Sequence, residues 1–285
     1  MAARIDPRTA VGAVTLTVRD VAAVGEFYER VLGLDRIEDE TAHEVLGAGG
    51  RPLVALVEGR AAPPRPPRTT GLFHFALLVP ARVELARSLR RLIEARWPLA
   101  GASDHLVSEA LYLSDPEGNG IEIYCDRPRE QWRRDGDELR MATLPLDLGE
   151  LLAEAPADAG DDGIAPGARM GHVHLEVADL GSGERFYGDL LGLEVTARDY
   201  LGALFLAAGG YHHHVGLNTW RGEGVAAPPP GALGLRHFEL TLPTADALDA
   251  VVGRLAAGGV ESVADGDGAR VEDPAGIAVR LRFGG

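Results

Sequence analysis

The chain is 285 residues long, 46% apolar and 25% charged, with a formal net charge of −15, a globular composition with room for about two domains. The acidic excess argues against nucleic acid as a partner, because phosphate binding needs a basic face. No run of about 18 apolar residues is present, so no membrane span is expected; Met1 to Arg8 lacks the apolar core of a secretory signal, which makes a cytoplasmic location the default; and Cys125, the only cysteine, excludes an internal disulfide and a thiolate-built zinc site.

The first predicted element is a strand, Val14 to Val18, with period-two alternation. A helix over Val21 to Val31 follows, with Val24, Phe27, Tyr28, Val31 and Leu32 at helical spacing. Short strands come next, near Glu44 to Leu46 and Leu53 to Val57. Beyond the proline-rich stretch Pro63 to Pro67, read as a stiff connector, the order restarts. It gives a strand at Phe73 to Val79, a helix at Val83 to Ala95, and strands at Ala110 to Leu113 and Gly120 to Cys125. Arg127 to Arg169 joins this half to the next, with a short helix predicted at Leu148 to Ala155 and a Gly/Asp/Ala-rich piece at Asp158 to Gly167.

From Gly171 the chain repeats itself at an offset of 159: Gly12 to Asp20 is echoed by Gly171 to Asp179, Phe27-Tyr28 by Phe186-Tyr187, and Leu32 to Leu34 by Leu191 to Leu193. Likewise His74 to Pro80 parallels His237 to Pro243, and Asp115 to Gly118 parallels Asp273 to Gly276. The predicted fold class is α+β, with four βαβββ modules at about 11–59, 71–126, 170–220 and 234–283. The modules fall into a first domain (1–126), a linker (127–169) and a second domain (170–285).

Four such modules, with the segment Ser108 to Glu122 placing a Tyr ten residues before a Glu and Asp-Pro-x-Gly-Asn between them, resemble the vicinal oxygen chelate superfamily of glyoxalases, bleomycin-type resistance proteins and dioxygenases. Among these the chain most resembles the type I extradiol ring-cleaving dioxygenases, of the catechol 2,3-dioxygenase kind. The resemblance implies two tandem domains with curved mixed sheets and metal ligands on the first and last strand of each module. Read onto this chain, the first-strand positions are Ala13, His74, His172 and His237, and the last-strand positions are Ala55, Glu122, Val215 and Arg280. Alanine and valine offer no donor, and arginine stays protonated and does not coordinate. Combining modules two and three yields His74, His172 and Glu122, the two-histidine, one-carboxylate set of non-haem Fe(II) sites, with Mn(II) an alternative. Modules one and four are left with Ala13, Ala55, His237 and Arg280, and His237 reads as a relic of the repeat.

The same resemblance assigns supporting roles. His213, within the run His212 to His214 expected to open the last strand of module three, would be the acid/base group, on the ground that it shares a face with Val215. Tyr112 would hydrogen-bond the substrate, and His105 would assist in deprotonating it. His174 shares a strand face with His172, and Cys125, at the end of a buried-looking strand, is expected to be inert. The implied reaction is extradiol cleavage of a small aromatic diol by O2, in a homo-oligomer. A glyoxalase-type metal-dependent isomerase or lyase, and a non-catalytic ligand-sequestering protein, stand as alternatives; the former generally uses four protein ligands, and the latter typically lacks the triad.

Overall fold

The computed structural model of the chain describes residues 4–136, 138–156 and 163–284; the first half of the piece expected at Asp158 to Gly167 lies outside them. The elements in chain order are β1 (Ala10–Val18), α1 (Val21–Arg30), β2 (Asp35–Glu40), β3 (His43–Ala48), β4 (Arg51–Glu58), β5 (Gly71–Leu78), α2 (Arg82–Glu94), β6 (Gly101–Asp104), β7 (Ser108–Ser114) and β8 (Gly120–Asp126). The connecting segment holds the two-residue strands β9 (Arg134–Asp135), β10 (Glu138–Leu139) and β11 (Leu144–Pro145), then α3 (Leu148–Ala153). There follow β12 (Arg169–Glu176), α4 (Leu180–Glu184), β13 (Glu194–Ala197), β14 (Ala203–Ala207), β15 (Val215–Asn218), β16 (Gly234–Leu242), α5 (Ala245–Ala257), β17 (Val263–Asp265), β18 (Gly268–Glu272) and β19 (Ala278–Phe283). These are the four βαβββ modules. No helix among the described residues is long and apolar enough to cross a membrane.

The repeated residues explain why each module folds alike. Asp20 caps α1 by accepting from the backbone N–H of Ala23, and Asp179 caps α4 by accepting from Ser182; each satisfies an N–H that the first helical turn leaves unpaired. The Phe-Tyr pairs lie on the buried helix faces, and their tyrosines reach far along the chain. Tyr28 donates to Asp115 (3.2 Å) and Tyr187 to Asp273 (2.9 Å). Those aspartates open the Asp-Pro-x-Gly turns, where Oδ1 of Asp115 accepts from the N–H of Glu117 and Asn119, and Oδ1 of Asp273 from Ala275 and Ile277. Gly118 (φ +87°) and Gly276 (φ +78°) complete these turns in the left-handed region, where a side chain would be strained. The helix of module three departs from the pattern: after α4 it widens into a π-helical segment, Arg185–Leu190.

The described chain divides into two compact units, residues 16–61 with 74–171, and residues up to 15 with 62–73 and 172 onward. In the first, β2, β3 and β4 form an antiparallel meander, while β5 runs parallel to β8, which is followed by antiparallel β7, β6 and β11. Ile121, Ile123 and Cys125 alternate along β8 with Glu122 and Tyr124, and all five are buried. The face holding Glu122 is lined by Ala76, Leu78, Ala110 and Tyr124, with Tyr112 packed against them; its two alanines leave room around the carboxylate. In the second unit, β12 runs parallel to β15, with β14 and β13 added antiparallel, and β16 runs parallel to β19, with β18 and β17 added.

Besides the two-residue strands of the connecting segment, two strands of modules one and two went unpredicted, and both lack the alternation that marks a half-buried strand. One is β2, whose sequence is almost wholly charged; the other is β6, only four residues long.

Candidate metal centre

Glu122 sits in the middle of β8, opposite Ala76 of β5 and Tyr112 of β7. The hairpin that joins β7 to β8 accounts for the ten-residue spacing between Tyr112 and Glu122, since it folds the two into direct register. His74 lies two residues before Ala76 on β5, on the same face, and its Nε2 is 3.0 Å from Glu122 Oε2. Both side chains are buried. The Tyr112 ring stands 5.6 Å from that of His74, centroid to centroid, and its hydroxyl is 2.6 Å from His105 Nε2. The other ring nitrogen, Nδ1, is 2.7 Å from the Ala142 carbonyl. A carbonyl can only accept, so Nδ1 donates to it and Nε2 is the nitrogen that meets the Tyr112 hydroxyl. His105 thus stands within this group of side chains, through Tyr112.

In the other unit, His172, His174 and Glu176 lie on one face of β12, alternating with the core residues Val173 and Leu175. The His213 ring packs 4.1 Å from His172 and the His212 ring 6.1 Å from it. Nδ1 of His212 and Nδ1 of His213 are 2.8 Å apart, so one donates to the other.

Two details differ from the sequence reading. The run His212 to His214 precedes β15 instead of opening it, and the His212 carbonyl accepts from the Thr196 hydroxyl. Strand alternation therefore does not choose among the three. His212 and His213 are both buried beside His172, whereas half-buried His214 turns its Nδ1 to the Ala208 N–H and its ring to Tyr211. The register also moves the position equivalent to Glu122. In module two the residue two beyond the first-strand histidine, Ala76, pairs with Glu122. In module three the corresponding His174 pairs with Gly216, not Val215. A Cβ on Gly216 would come within 3.0 Å of the His174 ring, so the space a ligand would occupy is taken by that imidazole. His174 is caged by Phe73 and Trp220, each 5.3 Å away, and by Phe205 at 5.6 Å.

Module four keeps the register of module two, with Glu239 opposite Arg280. His237 there shares a 3.0 Å hydrogen bond with the Thr15 hydroxyl, and burial, reinforced by the positive charges of Arg280, Arg270 and Arg236, pushes its pKa down to about 4. Arg280 is engaged by Glu239 and Asp265. Cys125 is buried and its thiol is pushed up to about 12, chiefly by burial, which leaves it unreactive at neutral pH.

Among the described residues, His74, Glu122 and His172 form a group that could hold a metal ion, since one ligand atom from each lies within 4.8 Å of the others. Two neutral imidazoles and a carboxylate suit Fe(II) or Mn(II).

A model of the Glyoxalase/Bleomycin resistance protein/Dioxygenase superfamily matches residues 10–123 and 169–281. The catechol-2,3-dioxygenase of Bacillus subtilis (strain 168) is 42% identical over 271 residues, covering 93% of this chain and 94% of that protein. A crystal structure from Bacillus subtilis subsp. subtilis str. 168 aligns with a TM-score of 0.67 at 14% identity, over 99% of this chain and 86% of that one. Glyoxalase I from Zea mays aligns with a TM-score of 0.60 at 15% identity, over 96% and 92%. These two structural likenesses speak for the fold alone.

Proposed function

We propose that this chain, which belongs to the Glyoxalase/Bleomycin resistance protein/Dioxygenase superfamily and is built as two such domains in tandem, is an extradiol ring-cleaving dioxygenase acting on an aromatic diol with O2. The named relative at 42% identity supports the reaction class, and the observation that carries the site is the grouping of His74, Glu122 and His172. These three would hold the metal, which we take to be Fe(II) or Mn(II). When bound, the metal supplies a Lewis-acidic centre that holds a vicinal diol and O2 side by side.

The chain's own groups do the proton work. Tyr112 accepts a hydrogen bond from a substrate hydroxyl and relays the proton to His105 Nε2, the ring being oriented by the bond from Nδ1 to the Ala142 carbonyl. His213 is the acid/base group beside His172. Its Nδ1 is engaged by His212, which orients the ring. The glyoxalase alternative asks for a fourth protein ligand, and Gly216 at the equivalent position offers none.

The test is metal analysis of anaerobically purified protein, wild type and His172→Ala, with oxygen uptake on a catechol panel. We expect about one Fe or Mn per chain, lost in the variant, with O2 consumption and a yellow ring-opened product. Metal bound without oxygen uptake on any diol would overturn the dioxygenase assignment; metal kept in full by the variant would overturn the ligand set.

A further inference from the structure

Beyond His172 and the caged His174, the same face of β12 ends in Glu176, a buried carboxylate held by two guanidiniums. Arg65 is a fixed structural member: it donates to Glu176 and to the carbonyls of Thr69, Thr70 and Leu72. Arg221 is different. Its Nε donates to Glu176 at 2.7 Å, its side chain is 49% exposed, and its remaining N–H groups have no partner among the described residues. Arg68, exposed and without an ion partner among the described residues, lies against the following turn, with Nη2 3.3 Å from where a Cβ on Gly222 would stand. Counting exposed Glu223 as well, three cations here face two carboxylates, on a chain whose net charge is −15.

The order along the face matters. Residues two apart on a strand are separated by about 7 Å, so β12 presents in sequence a proposed metal ligand, an aromatic band and a guanidinium. The band includes Phe73 and Trp220, which are 38% and 49% exposed and whose rings meet edge to face with centroids 5.3 Å apart. We propose that the diol cleaved by this protein carries a carboxylate on its ring, and that Arg221, positioned by Glu176, binds that carboxylate. The inference rests on the extradiol reading above. With the diol at the His172 end and the ring against the aromatic band, a ring substituent points along β12 toward Arg221. Arg65 neutralises Glu176, which leaves the charge of Arg221 for the ligand, and a forked guanidinium matches a carboxylate in shape.

The experiment compares metal-loaded wild type, Arg221→Gln and Arg221→Lys on 3,4-dihydroxybenzoate, 3,4-dihydroxyphenylacetate and 4-methylcatechol. Oxygen uptake is measured alongside anaerobic binding followed by tryptophan fluorescence, with and without metal. In the wild type we expect kcat/KM for one carboxylated diol to exceed that for 4-methylcatechol by at least about tenfold, carried by KM and shrinking with added salt. Arg221→Gln should collapse that ratio toward one, and Arg221→Lys should restore part of it. A ratio unchanged by Arg221→Gln, or a wild-type preference for 4-methylcatechol, overturns the proposal. If no diol is consumed, the dioxygenase reading fails on its own, and the fluorescence titration still decides whether Arg221 selects the carboxylated ligand.

Discussion

Modules two and four start from the same strand histidine and share the same parallel register, yet only module two contributes to the candidate metal set. In module two the register sets Ala76 against Glu122, so His74 has a carboxylate for a neighbour and small side chains around it. In module four it sets Glu239 against Arg280, an ion pair that satisfies itself and leaves His237 neutral on Thr15. Between these two modules, the residue across the sheet is what separates a histidine beside a carboxylate from one beside a cation.

The sharpest way to break the contrast is to exchange that residue. Glu122→Arg gives module two the cation of module four. It should abolish metal binding and lower activity by more than about 100-fold, the loss already seen when groups one shell further from a metal are removed. Metal content read beside the thermal midpoint separates a lost ligand from a lost fold, and Glu122→Gln, which keeps the shape, should also lose most of the metal. A variant that kept one metal per chain would refute the role of Glu122.

A smaller effect isolates the acid/base step from metal binding. His213→Ala should retain metal, because His74, His172 and Glu122 are untouched, while kcat falls by about 100-fold or more, as for a lost general acid or base. Loss of the metal along with the rate would make His213 a ligand instead.

The reverse exchange is milder and is read in stability. Arg280→Glu places a third carboxylate beside Glu239 and Asp265, with Arg282 on Glu239 left to balance them. It should destabilise the second unit by about 1–3 kcal/mol and create no two-histidine, one-carboxylate set, since the matching first-strand position of module one is Ala13 and supplies no second imidazole. Tight Fe(II) binding by this variant would show that the charge opposite the histidine is sufficient by itself.

Most of this contrast is legible in the sequence, because duplication writes it four times: the offset of 159, the strand histidines and the Tyr112 to Glu122 hairpin spacing are local patterns. What is not legible depends on distant partners. The register that sets His174 against Gly216 is a one-residue matter between strands some 40 positions apart, and the irregular path of His212 to His214 hides it from any count along the chain. The bonds from Tyr28 to Asp115 and from Tyr187 to Asp273 join motifs that each look complete alone. The pairing of Arg221 with Glu176 leaves no trace in spacing at all.

The smallest prediction concerns His237 and the direction of its pH effect. Its pKa is held near 4 in the folded protein, against an ordinary value of 6.5. Above pH 6.5 the ring is neutral whether the chain is folded or not, and the full stability is present. As the pH falls from 6.5 toward 4, the unfolded chain takes up a proton that the folded one refuses, so stability is lost across that window. The ring is only partly buried, so solvent screening limits the loss to about 1 kcal/mol at pH 5. His237→Gln keeps a partner for Thr15 and removes the titration, so its urea midpoint should change less between pH 7 and pH 5 than that of the wild type. Equal changes in the two proteins would mean that the arginines around His237 do not hold it neutral, and that module four differs from module two only in the residue across the strand.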